Sequence, residues 1–433
     1  MTTGWLLLAT IPLLVVASIA GLRRPALLLA AYASIIPFGS SISLPTGLPA
    51  EFATATTALG LVTTAGLVVH VLLASEGASS LPAPLPWWLF FFAVLTLTLA
   101  WSVDPSLTLQ KLLVMASLVG LYAVSVLPRF TVRDLDVIEA GIALSGALTG
   151  VYAVFLLLTD AMHLQGDGTP RFQTAGGGGE GGDPNITAAA LLLPLVVSLA
   201  AAMSERSGRH RLAYLLAAGL TGAAILLTGS RGGLLAVIVG IGILAFHDRR
   251  RLARIVYIGI PVVSLALTFA LSAEATQSRL QAQSASGRDL IWSVGSQACA
   301  DHCGRGTGWG TFGEVFTTYF LDEPDTDRTR TNVGPHSIWL RVPVEAGWLG
   351  ALVLVVALGL TYQSMRWLPP ERRGVPIAAL SGLLVANTFL SNLDFKYFWL
   401  VLMYVAWVVA VHRPRRPEDR VVGPVAAGGV TSR

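Results

Sequence analysis

The sequence predicts an all-α polytopic membrane protein of about twelve or thirteen transmembrane helices, with one long extracytoplasmic loop that contains short helices. Three observations predict it. Apolar runs of about 20 residues recur along all 433 residues, and each is long enough to cross a bilayer. Charged residues make up 12% of the chain, about half the ~25% usual in soluble domains. Hydrophobic types reach 54%, with a mean hydropathy of +0.67. This balance excludes a disordered chain and an ordinary cytosolic enzyme. A formal charge of +4 is too small to imply a polyanionic partner, so no nucleic acid is expected. Two cysteines cannot build a disulfide framework.

Apolar stretches between charged or Pro/Gly breaks place helices at 4–20, 25–40, 52–75, 87–101, 108–127, 137–158, 185–203, 212–228, 232–247, 252–273, 337–363, 374–391 and 395–412. The second and fourth are short, which keeps twelve spans open beside thirteen. Residues 4–20 resemble a signal-peptide core, but no basic residue precedes them and Arg23–Arg24 follow, so a retained helix is expected. The chain divides into N-terminal membrane helices (1–158), central helices with a Gly-rich outer loop (159–273), a long extracytoplasmic loop (274–336), C-terminal helices (337–412) and a basic cytoplasmic tail (413–433).

Arginine placement sets the expected orientation, because cytoplasmic loops collect Lys and Arg. With thirteen spans, Arg23–Arg24, Arg129 and Arg133, Arg206 to Arg211, Arg249 to Arg254, Arg366 to Arg373 and the tail arginines all fall on one side. That side carries a balance of +10 and the other −6. The N-terminus is thus expected outside and the C-terminus inside, in the cytoplasmic (inner) membrane.

The outer arginines are few: Arg171, Arg231, Arg279, Arg288, Arg305, Arg328, Arg330 and Arg341. Guanidinium matches phosphate oxygens bidentately and stays charged, so converging arginines suggest a phosphate-bearing ligand. Interfacial snorkelling is the plain alternative, and it suits Arg328 and Arg330. Arg231 is different, squeezed between two helices in Thr228-Gly-Ser-Arg-Gly-Gly. His336 opens the eleventh helix, and an unperturbed imidazole pKa of about 6.5 suits a general base. Arg341 and Glu345 are four apart on that helix, either supporting the site or forming a structural ion pair. Asp183-Pro-Asn185 opens the seventh helix with good capping chemistry.

Two metal readings are weak. Cys299, His302 and Cys303 supply three ligands with no second cluster, so a local disulfide or two thiols is the better reading. Asp325-Thr-Asp327 has an Asp-x-Asp form but sits in an acidic, solvated run. The Gly176–Gly179 run lacks the Gly-Lys-Ser/Thr ending of a phosphate loop.

Ser286-Gly-Arg-Asp-Leu-Ile-Trp292, Gly304-Arg-Gly-Thr-Gly-Trp-Gly310, Pro335-His-Ser-Ile-Trp339 and Glu345-Ala-Gly-Trp-Leu-Gly350 together resemble the O-antigen ligase and polymerase superfamily. Ser230-Arg-Gly-Gly resembles its Ser-Arg-Gly turn, and Asp183-Pro-Asn with Ala188 its Asp-Pro-Asn-x-x-Ala segment. The resemblance covers roughly residues 170–395. Cys303 departs from it, standing where members commonly have Pro, as does the Gly-rich insertion at 176–182.

The resemblance implies a glycosyltransferase that moves a glycan from an undecaprenyl-pyrophosphate carrier to a glycan or glycolipid acceptor hydroxyl at the outer membrane face, without metal or other cofactor. It makes His336 the candidate base, places the pyrophosphate on Arg231, Arg288 and Arg171, and leaves Arg341, Glu345 and Asn185 as supporting residues. The competing reading is a transporter or flippase for a lipid-linked glycan or small anion. Transport calls for ionisable groups near mid-membrane in several helices. Here only Glu345 and Lys111 sit noticeably inward.

Overall fold

A computed structural model describes residues 23–39, 42, 53–73, 81–164, 170–174, 182–205, 207–248, 288–321 and 334–412. Fourteen α-helices are formed by these residues. The first five are α1 (Pro25–Ile35), α2 (Ala55–Leu73), α3 (Leu85–Leu97), α4 (Pro105–Ser125) and α5 (Val132–Leu158). The central set is α6 (Pro184–Ala190), α7 (Leu192–Ser204), α8 (Gly208–Leu227) and α9 (Arg231–His247). Then come α10 (Arg288–His302), α11 (Phe312–Leu321), α12 (Ile338–Met365), α13 (Pro370–Thr388) and α14 (Lys396–His412). Two-residue strands His163–Leu164 and Pro170–Arg171 pair antiparallel.

The chain is an all-α polytopic membrane protein. Among the described residues, six segments are long and apolar enough to span a membrane, and four shorter apolar helices accompany them. The predicted helices at 4–20 and 252–273 lie outside the described residues. α10 and α11 are the short helices expected within the long loop. The twelfth predicted helix ends early, at Thr388, because Phe389 to Phe395 turn inward to make polar contacts described below.

Burial sorts the helices. From Tyr397 to Val409 every residue of α14 is buried, as are most residues of the segment Pro184–Ser204. A helix apolar all round belongs inside a bundle. By contrast few residues of α2 and α8 are buried, and their exposed Leu61, Leu72, Leu212 and Leu216 form apolar outer faces suited to lipid.

Helix ends follow local chemistry. Thr131 and Asp134 form a capping box at α5, and Asp104 caps α4 ahead of Pro105. The two sides read from the charges also separate in space. Asp136, Glu139, Glu205, His210, Asp248, Glu371, Arg372 and His412, all assigned to the inner side, line one cavity of about 1040 Å³. Outer-side residues gather elsewhere, around the α12–α14 turns.

Close crossings depend on small residues. A Cβ on Gly150 of α5 would stand 2.4 Å from the Leu220 carbonyl oxygen of α8, whereas nothing lies within 4 Å of one on Gly219. Gly150→Leu is therefore expected to destabilise the fold by about 1–3 kcal/mol, lowering the melting temperature in detergent. Gly219→Ala should leave that temperature unchanged or slightly raised.

Candidate functional site

The site is built around a break in α12. Pro343 removes a backbone donor, and Gly347 leaves helical geometry at φ 72°, ψ 179°. Backbone groups freed at membrane depth must find partners within the protein. The loop after α10 provides them. Thr307 N–H donates to the Val344 carbonyl at 3.0 Å and Gly308 N–H to the Glu345 carbonyl at 3.0 Å, while Trp348 N–H donates to the Cys303 carbonyl at 2.8 Å. Gly306, Gly308 and Gly310 all have φ between 84° and 112°, and a Cβ on any of them would strike Glu345, Ser102 or Lys111 respectively. The Gly-x-Gly-x-Gly spacing is thus a requirement of chirality and close approach together.

Arg341 and Glu345 are 6% and 1% exposed and lie at the centre of this contact. Arg341 Nε donates to Glu345 Oε2 at 3.0 Å; its Nη1 donates to Asp394 Oδ1 at 2.8 Å and to the Ser391 carbonyl at 2.6 Å. The guanidinium also stacks 4.3 Å over the Trp309 ring. Glu345 accepts from Gly310 N–H at 2.8 Å and Phe312 N–H at 3.2 Å. Burial acts to raise the Asp394 carboxyl, but the adjacent Arg341 guanidinium, helped by Lys111, holds it below its ordinary value. The pair seen in the sequence is therefore part of a larger network whose Asp394 member the sequence reading did not single out. The available signal was Asp394–Phe395–Lys396, a pair of charges between the last two apolar helices.

A second cluster forms at the start of α9. Ser230 caps it, accepting from Gly233 N–H at 3.1 Å and donating to Asn185 Oδ1 at 2.8 Å. Asn185 in turn donates through Nδ2 to Asp183 at 3.1 Å. A Cβ on Gly233 would come 2.5 Å from that of Ala188, so the Asp-Pro-Asn-x-x-Ala and Ser-Arg-Gly-Gly segments are two halves of one contact. Arg231 is the first helical residue and is exposed. The strand carrying Arg171 lies alongside, tied by Phe172 N–H to the Leu227 carbonyl at 2.9 Å. Arg171 Nε is 3.7 Å from the Cβ position of Gly229. The structure thus brings Arg171, Arg231 and Asn185 to one turn. A cation at the positive pole of a helix is unfavourable, and an anion there relieves it.

His336 occupies the turn before α12 at φ 46°, a backbone conformation uncommon for a non-glycine residue. Three residues on, Trp339 Nε1 donates to Thr388 at 3.3 Å, and a Cβ on Gly232, next to Arg231, would lie 3.5 Å from Phe389. Arg288 is the first residue of α10, and its side chain lies outside the described residues. Cys299, in the last turn of α10, and Cys303, just past its end, form a disulfide, which removes both as zinc ligands. Among the described residues no group of three His, Cys, Asp or Glu side chains could hold a metal ion. Asp325 and Asp327 lie outside the described residues.

Residues 212–355 match the family model described as O-Antigen ligase. The matched stretch contains the Ser230 turn, Arg288, the glycine turn, His336 and Glu345, while Arg171, Asn185 and Asp394 lie beyond it. No curated protein matches the chain.

Removing one member of a buried ion pair leaves the other uncompensated, at about 3–5 kcal/mol. Glu345→Ala should therefore lower the melting temperature far more than Glu314→Ala, on α11. The depressed Asp394 carboxyl adds stability that is complete above the ordinary value of about 3.9 and lost as pH falls through the lower folded value. An acid titration of thermal stability should show a loss in wild type that Asp394→Asn lacks.

Proposed function

We propose that the chain, whose residues 212–355 match the O-antigen ligase family model, transfers a glycan from an undecaprenyl-pyrophosphate carrier to an acceptor hydroxyl at the outer membrane face. The observation that supports this reading is that Arg171 lies beside Gly229 and Arg231 starts the next helix, so both belong to one turn at a helix N-terminus. In the proposed step, an acceptor oxygen attacks the anomeric carbon of the carrier-linked sugar. The bond to the diphosphate oxygen breaks, and undecaprenyl diphosphate leaves with the electron pair. His336 receives the acceptor's proton. Arg231, Arg171 and Arg288 hold the diphosphate, whose charge grows as the bond breaks, so fixed cations lower this barrier without a strong acid. The network of Arg341 and Glu345 fixes the helix that presents His336, and Asn185 fixes the Arg231 turn.

The disulfide supports the outer placement, since disulfides persist in oxidising compartments. The positive-inside bias gives the same side. The charges that sit inward, Glu345 and Lys111, join an outer-end network with Arg341 and Asp394 instead of marking a path across the bundle, which favours interfacial chemistry over transport.

His336→Ala and Arg231→Ala, at matched expression, should each reduce glycan transfer by about 100-fold or more. Near-normal product from either would remove that residue from the mechanism. In a deletion strain, carrier-linked single repeats accumulating would identify a polymerase, and carrier-linked long chains a ligase. Neither accumulating, with glycan flipping by the purified protein in liposomes, would replace transfer by transport.

A further inference from the structure

The chain has two lysines, and the structure treats their charges differently. Lys111 interacts electrostatically with Asp394, so its charge is answered. Lys396, the first residue of α14, is half-buried and directs its ammonium onto Thr56, Thr57 and Thr54 at 2.8, 2.9 and 3.3 Å. These hydroxyls satisfy its hydrogen bonds but not its charge. No carboxylate among the described residues forms an ion pair with it, the ion pairs there being those of Arg341 with Glu345 and with Asp394.

The surroundings add positive potential. Thr54 to Thr57 start α2, a 19-residue helix, and Lys396 starts α14, so the ammonium lies at the positive poles of two helices. Thr54 and Thr56 are 2% and 0% exposed. Thr56 donates to the Gly39 carbonyl at 3.0 Å, which fixes its lone pairs toward the lysine. Among the described residues, the charge is taken partly out of water and faced with neutral hydroxyls and helix poles, an arrangement that an anion would stabilise. The location is also shared with the proposed anion turn: Thr174, three residues from Arg171, donates to the Pro37 carbonyl at 2.6 Å, two residues before Gly39.

We propose that Lys396, with Thr54, Thr56 and Thr57, forms a second anion subsite that takes a phosphate group, either from a lipid headgroup or from free phosphate. Binding is its readout, so it stands apart from the transfer reaction. Wild type, Lys396→Gln, Lys396→Arg and Arg231→Ala are placed in phosphatidylcholine nanodiscs. Undecaprenyl phosphate doped into the disc is one probe and inorganic phosphate in solution the other.

Lys396→Gln should weaken binding of at least one probe by about tenfold or more, the value of one charged hydrogen bond, with Lys396→Arg close to wild type. Loss confined to the doped lipid assigns a headgroup, and equal loss for both probes assigns free phosphate. Undiminished binding of both by Lys396→Gln overturns the subsite, as does an absence of binding in wild type. Loss in Arg231→Ala alone would overturn the lysine subsite and keep the arginine turn, and loss in Lys396→Gln alone would do the reverse. If Lys396→Gln does not fold, Thr57→Val keeps the charge and removes one hydroxyl. A loss of about threefold from one neutral contact then supports the subsite, and none overturns it.

Discussion

The fold of the outer end depends on one buried guanidinium. Arg341 engages Glu345 on its own helix and Asp394 and Ser391 on the turn between α13 and α14. Glu345 passes the restraint to the glycine turn through two backbone N–H groups. Three segments far apart in sequence are thereby held at a single point. Desolvating these groups costs several kcal/mol each, and the cost is offset only because every one is paired and hydrogen-bonded. With Lys111 included, two cations face two carboxylates, so the network is close to neutral and has no charge to offer a ligand. Its contribution is geometric. It allows α12 to break at Gly347 without leaving bare carbonyls at membrane depth.

The Arg171–Arg231 turn is held differently. Asp183, beside it among the described residues, caps α6 and orients Asn185. The two arginines add to a helix N-terminus that is already positive. Stability does not ask for this arrangement. Neutral residues would cap and pack α9 equally well, because Ser230 does the capping and Gly233 and Ala188 make the contact. Paired charges at the α12 break are therefore structural, whereas Arg231 at the α9 start is exposed.

The bundle was legible because span length and hydropathy are local properties, as the predicted 137–158, 185–203 and 232–247 illustrate beside α5, α6–α7 and α9. Capping signals at Asp104, Thr131 and Asp183 were equally local. The Arg341–Glu345 pair was visible from its helical spacing. Asp394 was not, because its partner is 53 residues earlier and no periodicity links them. Lys396 was hidden for the same reason, meeting threonines more than 300 residues away. The end of α13 was overrun because Phe389 and Leu390 are apolar and extend the hydropathy run, whereas the chain turns there to deliver Ser391 and Asp394 to Arg341. What a sequence cannot show directly is the long-range contact that outweighs a local preference.

The position of His336 follows from the same constraint. It lies five residues before Arg341, in a turn whose next residue, Ser337, accepts the Arg341 N–H at 3.0 Å. Trp339 fixes the following turn against Thr388. A base for acceptor hydroxyls must be held to within fractions of an ångström while the acceptor varies. In the proposed role of His336, placing it near a saturated network meets that need, because the network resists displacement. Arg231 stands on a different helix, α9, where a Cβ on Gly232 would lie 3.5 Å from Phe389, next to Thr388. Trp339 and the start of α9 thus meet one short segment at the end of α13. A change there would be felt by both, whereas a change in either outer loop would reach only one.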